Sequence, residues 1–385
     1  MTFNDGVQRP ADLNRKLAIP TNWDPDLLNK VAPLNPAYMY GSLPTEPGMR
    51  TVLQLPEIDE DAVTEFVRRA GELGIKFLYV MNATCAGNRE MSEEGRWAFL
   101  ERCQWALDAG FSGVTLANPY LMELARRNFP ELELHVSLLT GVDEPRKASF
   151  FEQLGATLIY LDPIVARDFR RLRAIRQAVD CKLALVVNEG CVLQCPLRAY
   201  HTNVISHSRE SIEGQYHVDY CYYTCAAQKL SDPAELLRMP WIRPEDLNLY
   251  LAEGIDHFKI AGREKMGDGP SSHTSWIEMV SRAYHACRSD NVAELLVGLE
   301  GVQSLTGELP APPPDLHISS RALDGFMRYF VGGHCDMDCG ACTYCEAWAR
   351  KAVTLTGDPQ PYVDHVEASL ERIRTGSYWT KPIEF

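Results

Sequence analysis

The chain has 385 residues, of which 45% are apolar, and its 52 acidic against 38 basic side chains give a formal net charge of −14. This composition is typical of a globular protein with one large or two average domains, and the acidic balance disfavours nucleic acid as a partner. No run of roughly 18 apolar residues could span a bilayer, and the N-terminal MTFNDGVQRPADLNRK lacks a signal-peptide core, so we expect a cytoplasmic protein.

Short β runs alternate with helical stretches in the first two-thirds of the chain. The predicted strands are Tyr38–Ser42, Phe77–Met81, Gly113–Leu116, Leu134–Leu138, Thr157–Leu161, Leu183–Val187 and His257–Ile260. Such alternation predicts parallel strands joined by helical crossovers. We therefore predict an α/β fold with a closed (β/α)8 TIM-barrel-like domain, whose eighth strand the sequence leaves unassigned. No GxGxxG follows a strand, which argues against a dinucleotide-binding sheet.

Polar residues stand where these strands end. They are Asn82, Asn118, Ser137, Asp162 and Asn188, and Lys259 with Arg263. The carboxyl ends of barrel strands face the active site, which favours a functional role. The alternative is that the Asn and Asp residues cap the next helix or turn, and the sequence leaves both interpretations open.

The texture of the chain changes after residue 300. We predict a barrel over residues 1–300 with a cysteine-bearing loop at 188–230, a Pro-rich linker at 301–320 around Pro310–Pro314, and a cysteine-rich C-terminal segment at 321–385. That last segment includes an amphipathic helix around Val366–Ile373.

Disulfides are rare in the cytosol, so the 12 cysteines need another explanation. The first group consists of two pairs, each with three residues between its members: Cys191 with Cys195, and Cys221 with Cys225. Cysteines at i and i+4 share one face of a helical turn, and four thiolates suit either zinc or an iron–sulfur cluster. Because the first pair follows a predicted strand, we expect this centre at the mouth of the barrel.

Three histidines, His201, His207 and His217, lie between the two pairs. They could tune a cluster, transfer protons or bind substrate, or they could simply form hydrogen bonds within a long loop. The sequence leaves these alternatives open.

The second cysteine group is compact. Its members, within eleven residues, are Cys335, Cys339, Cys342 and Cys345. The first three match the CxxxCxxC spacing of radical S-adenosylmethionine enzymes, but the position after the barrel and the fourth cysteine argue against that class. We predict a closed centre, structural or electron-relaying, that holds an iron–sulfur cluster or zinc.

The other four cysteines are interpreted one by one. We predict that Cys103, Cys181 and Cys287 are core residues. Cys85 lies just past a strand end and could approach the barrel site.

Long motifs resemble a known family. The runs NEGCVLQCPLRAYHTNVISHS and WIRPEDLNLYLAEGIDHFKIAGR are similar to the collagenase-like peptidase family, family U-32. The tail LDGFMRYFVGGHCDMDCGACTYC resembles the C-terminal cysteine segment of one of its subgroups, and the resemblance covers roughly residues 35–350.

The resemblance implies peptidase activity or, as in several members, a 4Fe–4S protein of oxygen-independent hydroxylation. It implies that the four cysteines of the first group hold one such cluster, and that Cys85 could replace one of them as the fourth ligand. It also implies that the chain could form a heterodimer with a relative. Asn188-Glu189-Gly190 departs from the peptidase-type signature before Cys191. Together with the acidic balance, this departure argues against the protease label and the RNA-modifying subgroup.

We therefore predict an iron–sulfur enzyme that performs redox or oxygen-independent hydroxylation-like chemistry on a small organic or peptidyl substrate. One 4Fe–4S cluster is expected at the barrel and a second centre at the tail, with zinc as the alternative there. Lys259 and Arg263 would bind an anionic substrate group, and His201 or His207 would transfer protons. A U-32-type peptidase and a zinc-stabilised scaffold remain the competing hypotheses, and a homo- or heterodimer is expected.

Overall fold

A closed barrel of eight parallel strands forms the centre of the computed structural model, which describes residues 13–48, 57–214, 218, 220–263, 270–299 and 315–377. Each strand pairs with the next along the chain, and the last pairs with the first. The strands are β1 (Leu17–Pro20), β2 (Tyr38–Gly41), β3 (Lys76–Met81), β4 (Gly113–Leu116), β5 (Glu133–Val136), β6 (Leu158–Tyr160), β7 (Lys182–Val186) and β8 (His257–Lys259). The predicted (β/α)8 architecture is confirmed.

Helices surround the barrel and form most of the connections. In chain order they are α1 (Pro25–Val31), α2 (Glu60–Glu72), α3 (Glu93–Asp108), α4 (Pro119–Asn128), α5 (Pro145–Gln153), α6 (Phe169–Ala178), α7 (Arg198–Ser206), α8 (Ser208–Glu213), α9 (Tyr220–Ser231), α10 (Pro233–Arg238), α11 (Leu247–Leu251), α12 (Pro270–Ala286), α13 (Arg328–Val331), α14 (Tyr344–Ala352) and α15 (Gln360–Arg374). Within the described ranges, no helix is both long and apolar enough to cross a bilayer.

Local sequence explains where these helices begin and end, as α2 illustrates. The side chain of Asp59 accepts a hydrogen bond from Ala62 N at 2.8 Å, which caps the first turn. The buried face of α2 carries Val63, Phe66 and other apolar residues at helical spacing. Gly74, with φ of 72°, reverses the chain just after the helix, a conformation that glycine adopts without strain.

The strand that the sequence left unassigned is β1. Its four residues, Leu17–Pro20, are fully buried, and they pair with β2 on one side and β8 on the other. The other seven strands lie within two residues of their predicted bounds. The largest difference is in β5, which ends at Val136 because Leu138–Thr140 form a 3-10 turn, in which the N–H of Leu139 donates to Ser137 Oγ at 3.3 Å.

The C-terminal segment packs onto the barrel. Apolar residues such as Phe326 and Phe330 belong to the same hydrophobic cluster as the residues between strands and helices. A two-stranded antiparallel sheet, β9 (Asp315–Ile318) with β10 (Val353–Thr356), and helix α15 complete the segment. The predicted helix around Val366–Ile373 is therefore present, whereas Pro310–Pro314 lies outside the described residues.

Candidate functional site

The carboxyl ends of the strands surround a cavity of about 110 Å³. Its position follows from its lining, since Asn82 comes after β3, Leu138 after β5 and Glu189 after β7. Among the residues singled out in the sequence, the lining contains Asn82, Cys191, Cys195, His201, Lys259 and Arg263. The barrel therefore brings six of the candidate residues to one place.

Two buried cations converge on one tyrosine ring in this cavity. The Nζ of Lys259 lies 4.3 Å from the ring centroid of Tyr40 and 4.7 Å from that of Tyr160. The Cζ of Arg263 lies 5.5 Å from the Tyr40 centroid, and its Nη1 donates a hydrogen bond to Ser42 Oγ at 3.1 Å. Aromatic faces stabilise these charges, so the cavity wall carries two cations held over one ring.

The start of the first cysteine pair is set by a tight backbone contact. A Cβ on Gly190 would lie 1.9 Å from Val297 O, so only glycine fits at this position. The N–H of Val297 also donates to Asn188 O at 3.1 Å. This contact fixes the chain directly before Cys191 against the segment that follows α12.

The first cysteine pair lies on an irregular turn. Cys191 and Cys195 precede α7, and Gln194 between them has φ of 52°, so the expectation of a shared helical face is wrong for this pair. Burial raises the pKa of the Cys191 thiol, as does the neighbouring Glu189, while nearby Arg198 and Lys229 act in the opposite direction. Both cysteines line the cavity, as Lys259 and Arg263 do.

The second pair, Cys221 and Cys225, lies one turn apart on α9, as a helical pair should. Cys221 is buried, and the thiol of Cys225 donates to Tyr222 O at 3.3 Å. Neither lines the barrel cavity. Within the described ranges, no three His, Cys, Asp or Glu side chains are arranged around a single-ion site. The donor chemistry fits a thiolate-bound centre, although only the first pair reaches the cavity.

The two histidines predicted to transfer protons have different positions. His201 lines the cavity, whereas His207 lies at the end of α7, where its Nδ1 is 3.3 Å from Glu210 Oε2. The imidazole of His207 also interacts with the thiol of Cys85, and this interaction lowers the pKa of the thiol and raises the pKa of the imidazole. The N–H of Gly87 donates to Cys85 Sγ at 3.4 Å. His217 lies outside the described residues.

Sequence reasoning missed the pairing of Cys85 with His207, because 122 residues separate them and Cys85 lies outside the motifs that carry the family resemblance. It also missed Arg198, which lines the cavity and donates to Asp162 Oδ1 at 2.9 Å. Asp162 is one of the strand-end residues named above. The signal in the sequence that could have predicted this pair is the basic side chain of Arg198 in the cysteine loop, opposite that acidic residue.

The four C-terminal cysteines line one small cavity of about 20 Å³ together with Arg238, Tyr329, Phe330 and Tyr344. The loop between them turns at Met337, whose φ is 67°, and Cys342 N donates to Asp338 O at 3.2 Å. Burial raises the pKa of Cys345 to about 11. Four cysteines that line one cavity suit a thiolate-bound centre by donor type, although in the described part of the chain no three of them are arranged around a single ion.

Comparison with known proteins identifies relatives of this chain. The model of a family described as Peptidase family U32 matches residues 46–303. An uncharacterized protease of Methanocaldococcus jannaschii is 31% identical, over 80% of this chain and 85% of that protein. The tRNA hydroxylation protein P1 of Bacillus subtilis is 26% identical over 57% of this chain and 52% of its own length. The solved structure of the U32 peptidase Mk0906 aligns with a TM-score of 0.49 and 24% identity, and covers 69% of this chain and 98% of that one.

Proposed function

The chain belongs to peptidase family U32, and we propose that it is an iron–sulfur enzyme that performs redox or oxygen-independent hydroxylation-like chemistry on a small organic or peptidyl substrate. One juxtaposition carries this proposal: Cys191 and Cys195 line the same cavity as Lys259 and Arg263. Thiolates are the ligands of iron–sulfur clusters, and paired cations recognise an anionic substrate group.

The cluster ligands in this proposal are Cys191, Cys195, Cys221 and Cys225, with Cys85 in reserve. A 4Fe–4S cluster bound there supplies one-electron redox chemistry. The residues of the chain bind and orient the substrate. Lys259 and Arg263, which both lie over the Tyr40 ring, bind its anionic group, and His201 on the cavity wall transfers a proton.

The substrate class follows from size and charge. A cavity of about 110 Å³ accepts a small molecule or one side chain of a peptide. The name of the Bacillus subtilis relative supports hydroxylation as the reaction class. The net charge of −14 favours a small organic or peptidyl substrate over nucleic acid for this chain.

Metal analysis tests the proposal. The full chain is purified anaerobically from iron-replete cells, and iron, acid-labile sulfide and zinc are quantified per chain. We expect about eight irons per chain, with matching sulfide, if both cysteine groups hold 4Fe–4S clusters. If the C-terminal cysteines hold zinc, we expect about four irons and one zinc ion per chain. Cys191→Ala should remove the barrel iron, and Cys339→Ala should remove the metal of the tail.

Two further variants make this experiment sharper. Cys181→Ala is the matched control, since Cys181 precedes β7 at the opposite end of the barrel and should keep full metal content. Cys85→Ala should also keep full iron content if the four cysteines of the first group complete the ligand set. Stoichiometric zinc without sulfide in wild-type protein would instead identify a zinc-stabilised protein and overturn the proposal.

A peptidase of U-32 type is the second candidate function, and a specific observation favours it. Cys85 interacts with His207, and His207 is hydrogen-bonded to Glu210, so the imidazole would take the thiol proton and the carboxylate would orient the ring. Metal-free protein that hydrolyses denatured collagen or casein, and loses this activity in Cys85→Ala but not in Cys181→Ala, would establish it. Absence of cleavage in the metal-free protein would exclude it for these substrates.

A further inference from the structure

A buried arginine lies beside the C-terminal cysteines without a carboxylate partner in the described part of the chain. Arg167 ends the 3-10 helix that follows β6, and it is only 2% exposed. Its Nη2 donates to Met239 O at 2.8 Å, and its Nη1 lies 3.0 Å from Met327 Sδ. Its Nε is buried and has no hydrogen-bond partner in this structure. An ordinary buried arginine is neutralised by an acidic group, so the environment of Arg167 lacks a counter-charge.

Aromatic rings surround the guanidinium. Its Cζ lies 5.2 Å from the ring centroid of Trp241, 5.4 Å from that of Phe326 and 5.2 Å from that of Phe330. Such rings stabilise a cation through their faces, but they carry no net charge and they exclude water. The positive charge is therefore held in a medium of low polarity, where it acts strongly on nearby groups.

The nearby groups are the C-terminal thiols. Phe330 contacts the guanidinium and also lines the cysteine cavity. Tyr344, whose ring stacks on that of Phe326 with centroids 5.7 Å apart, lines the cavity as well, so the rings around the guanidinium also form one wall of the cysteine cavity.

A second arginine at this cavity provides a contrast. Arg238 lines the cavity, but its Nη1 bonds to Asp232 Oδ2 at 2.9 Å and to Glu235 Oε1 at 2.5 Å. Its charge is therefore already matched by two carboxylates. Of these two arginines, Arg167 is the one whose charge remains available to balance charge on the thiolates.

We propose that Arg167 is the buried counter-charge of a dianionic tetrathiolate metal centre held by the four C-terminal cysteines. This inference rests on the proposed metal-binding role of these cysteines. Four thiolates carry −4, and either Zn²⁺ or an oxidised 4Fe–4S core carries +2, so both centres have a net charge of −2. The guanidinium balances part of that charge without being a ligand, and it links the centre to the β6–α6 connection of the barrel.

Cobalt titration tests the assignment in the full chain. The four cysteines of the first group are replaced by alanine so that one centre remains, and the metal-free protein is titrated anaerobically with Co²⁺. Thiolate-to-cobalt charge-transfer absorption reports the binding. Arg167→Gln loses the charge but keeps a donor for Met239 O, and we expect its Kd for Co²⁺ to rise about ten-fold or more. Arg167→Lys should stay within about three-fold of the parent, because it keeps the charge.

A matched control and a second readout separate this role from a structural one. Arg173→Gln removes an exposed arginine that pairs with Glu253 on the surface of the barrel, and its Kd should equal that of the parent. An equal Kd in Arg167→Gln and the parent would overturn the role of Arg167. Absence of thiolate-to-cobalt absorption in a folded parent would instead overturn the metal-binding role of the cysteines.

Reconstitution with iron and sulfide distinguishes a 4Fe–4S cluster from a zinc site. If a 4Fe–4S cluster forms, its midpoint potential should become more negative in Arg167→Gln, because loss of a nearby positive charge disfavours the added electron. An unchanged potential would contradict the assignment. Should the four-alanine background fail to fold, metal content per chain is compared in otherwise wild-type protein, and Arg167→Gln should lose metal at the tail while Arg167→Lys retains it.

Discussion

Asn188 and Ala261 are joined by two hydrogen bonds. The N–H of Ala261 donates to Asn188 Oδ1 at 2.7 Å, and Asn188 Nδ2 donates back to Ala261 O at 3.1 Å. Nδ2 donates a third bond to Leu295 O at 3.0 Å, and Asn188 is fully buried. This side chain joins the carboxyl ends of β7 and β8, and so holds Cys191 near Lys259.

Asn188→Asp should therefore destabilise the protein although the two side chains have the same shape. A carboxylate cannot donate to the carbonyl oxygens of Ala261 and Leu295, and we expect the free energy of unfolding to fall by about 3 kcal/mol. Urea unfolding followed by circular dichroism measures this loss. Asn128→Asp is the control, since Asn128 is exposed and bonds only to Leu124 O of its own helix. Equal stability of Asn188→Asp and wild type would show that the network is dispensable.

The cationic cavity should bind small anions. Phosphate at about ten times its Kd would stabilise the folded state by about 1.4 kcal/mol and raise the Tm by a few degrees. Lys259→Met combined with Arg263→Met should abolish the increase, measured by thermal unfolding against chloride at equal ionic strength. Lys147→Met, at an exposed residue paired with Asp143, should keep it. An undiminished increase in the double variant would locate the anion elsewhere.

Cys85 should be a reactive thiol at neutral pH. The neighbouring imidazole of His207 lowers the pKa of Cys85, whereas burial raises the pKa of Cys191 and of Cys345. Brief treatment of metal-free protein with iodoacetamide at pH 7, followed by peptide mass spectrometry, should modify Cys85 first. His207→Gln should slow this reaction several-fold. The same rate in both proteins would exclude activation by the imidazole.

Stability should fall on mild acidification because of a buried histidine. Both ring nitrogens of His257 are buried without partners in this structure, and burial lowers its pKa to about 4. In the unfolded chain this imidazole takes up a proton near pH 6.5. The free energy of unfolding is therefore undiminished above that pH and decreases as the pH falls towards 4. Burial also lowers the pKa of His135, which acts in the same direction.

His257→Phe should remove about 2 kcal/mol of the loss in unfolding free energy between pH 7 and 4.5. The substitution keeps an aromatic ring against Tyr38, whose centroid lies 5.4 Å from that of His257. Urea unfolding at the two pH values gives the difference. His317→Phe, at an exposed residue of β9, is the control, and its unfolding free energy should fall between pH 7 and 4.5 by as much as that of wild type. An identical loss in His257→Phe would assign the acid sensitivity to other groups.

The sequence by itself determined seven of the eight strands and the local grouping of the cysteines. Strands buried on both faces require continuous apolar runs, and such runs are visible in the chain. The C-terminal cysteines lie within eleven residues, so the short chain between them keeps their thiols close whatever the fold. Strand β1 was not predicted, because its four residues are too few to show the periodicity of a strand.

Only the tertiary structure decided which distant residues meet. Closure of the barrel joins Asn188 to Ala261 and brings Lys259 to the cavity of Cys191. Packing of the C-terminal segment sets the cysteine site beside Arg167, more than 150 residues earlier in the chain. These contacts depend on how strands and helices pack in three dimensions, and no spacing along the chain encodes them.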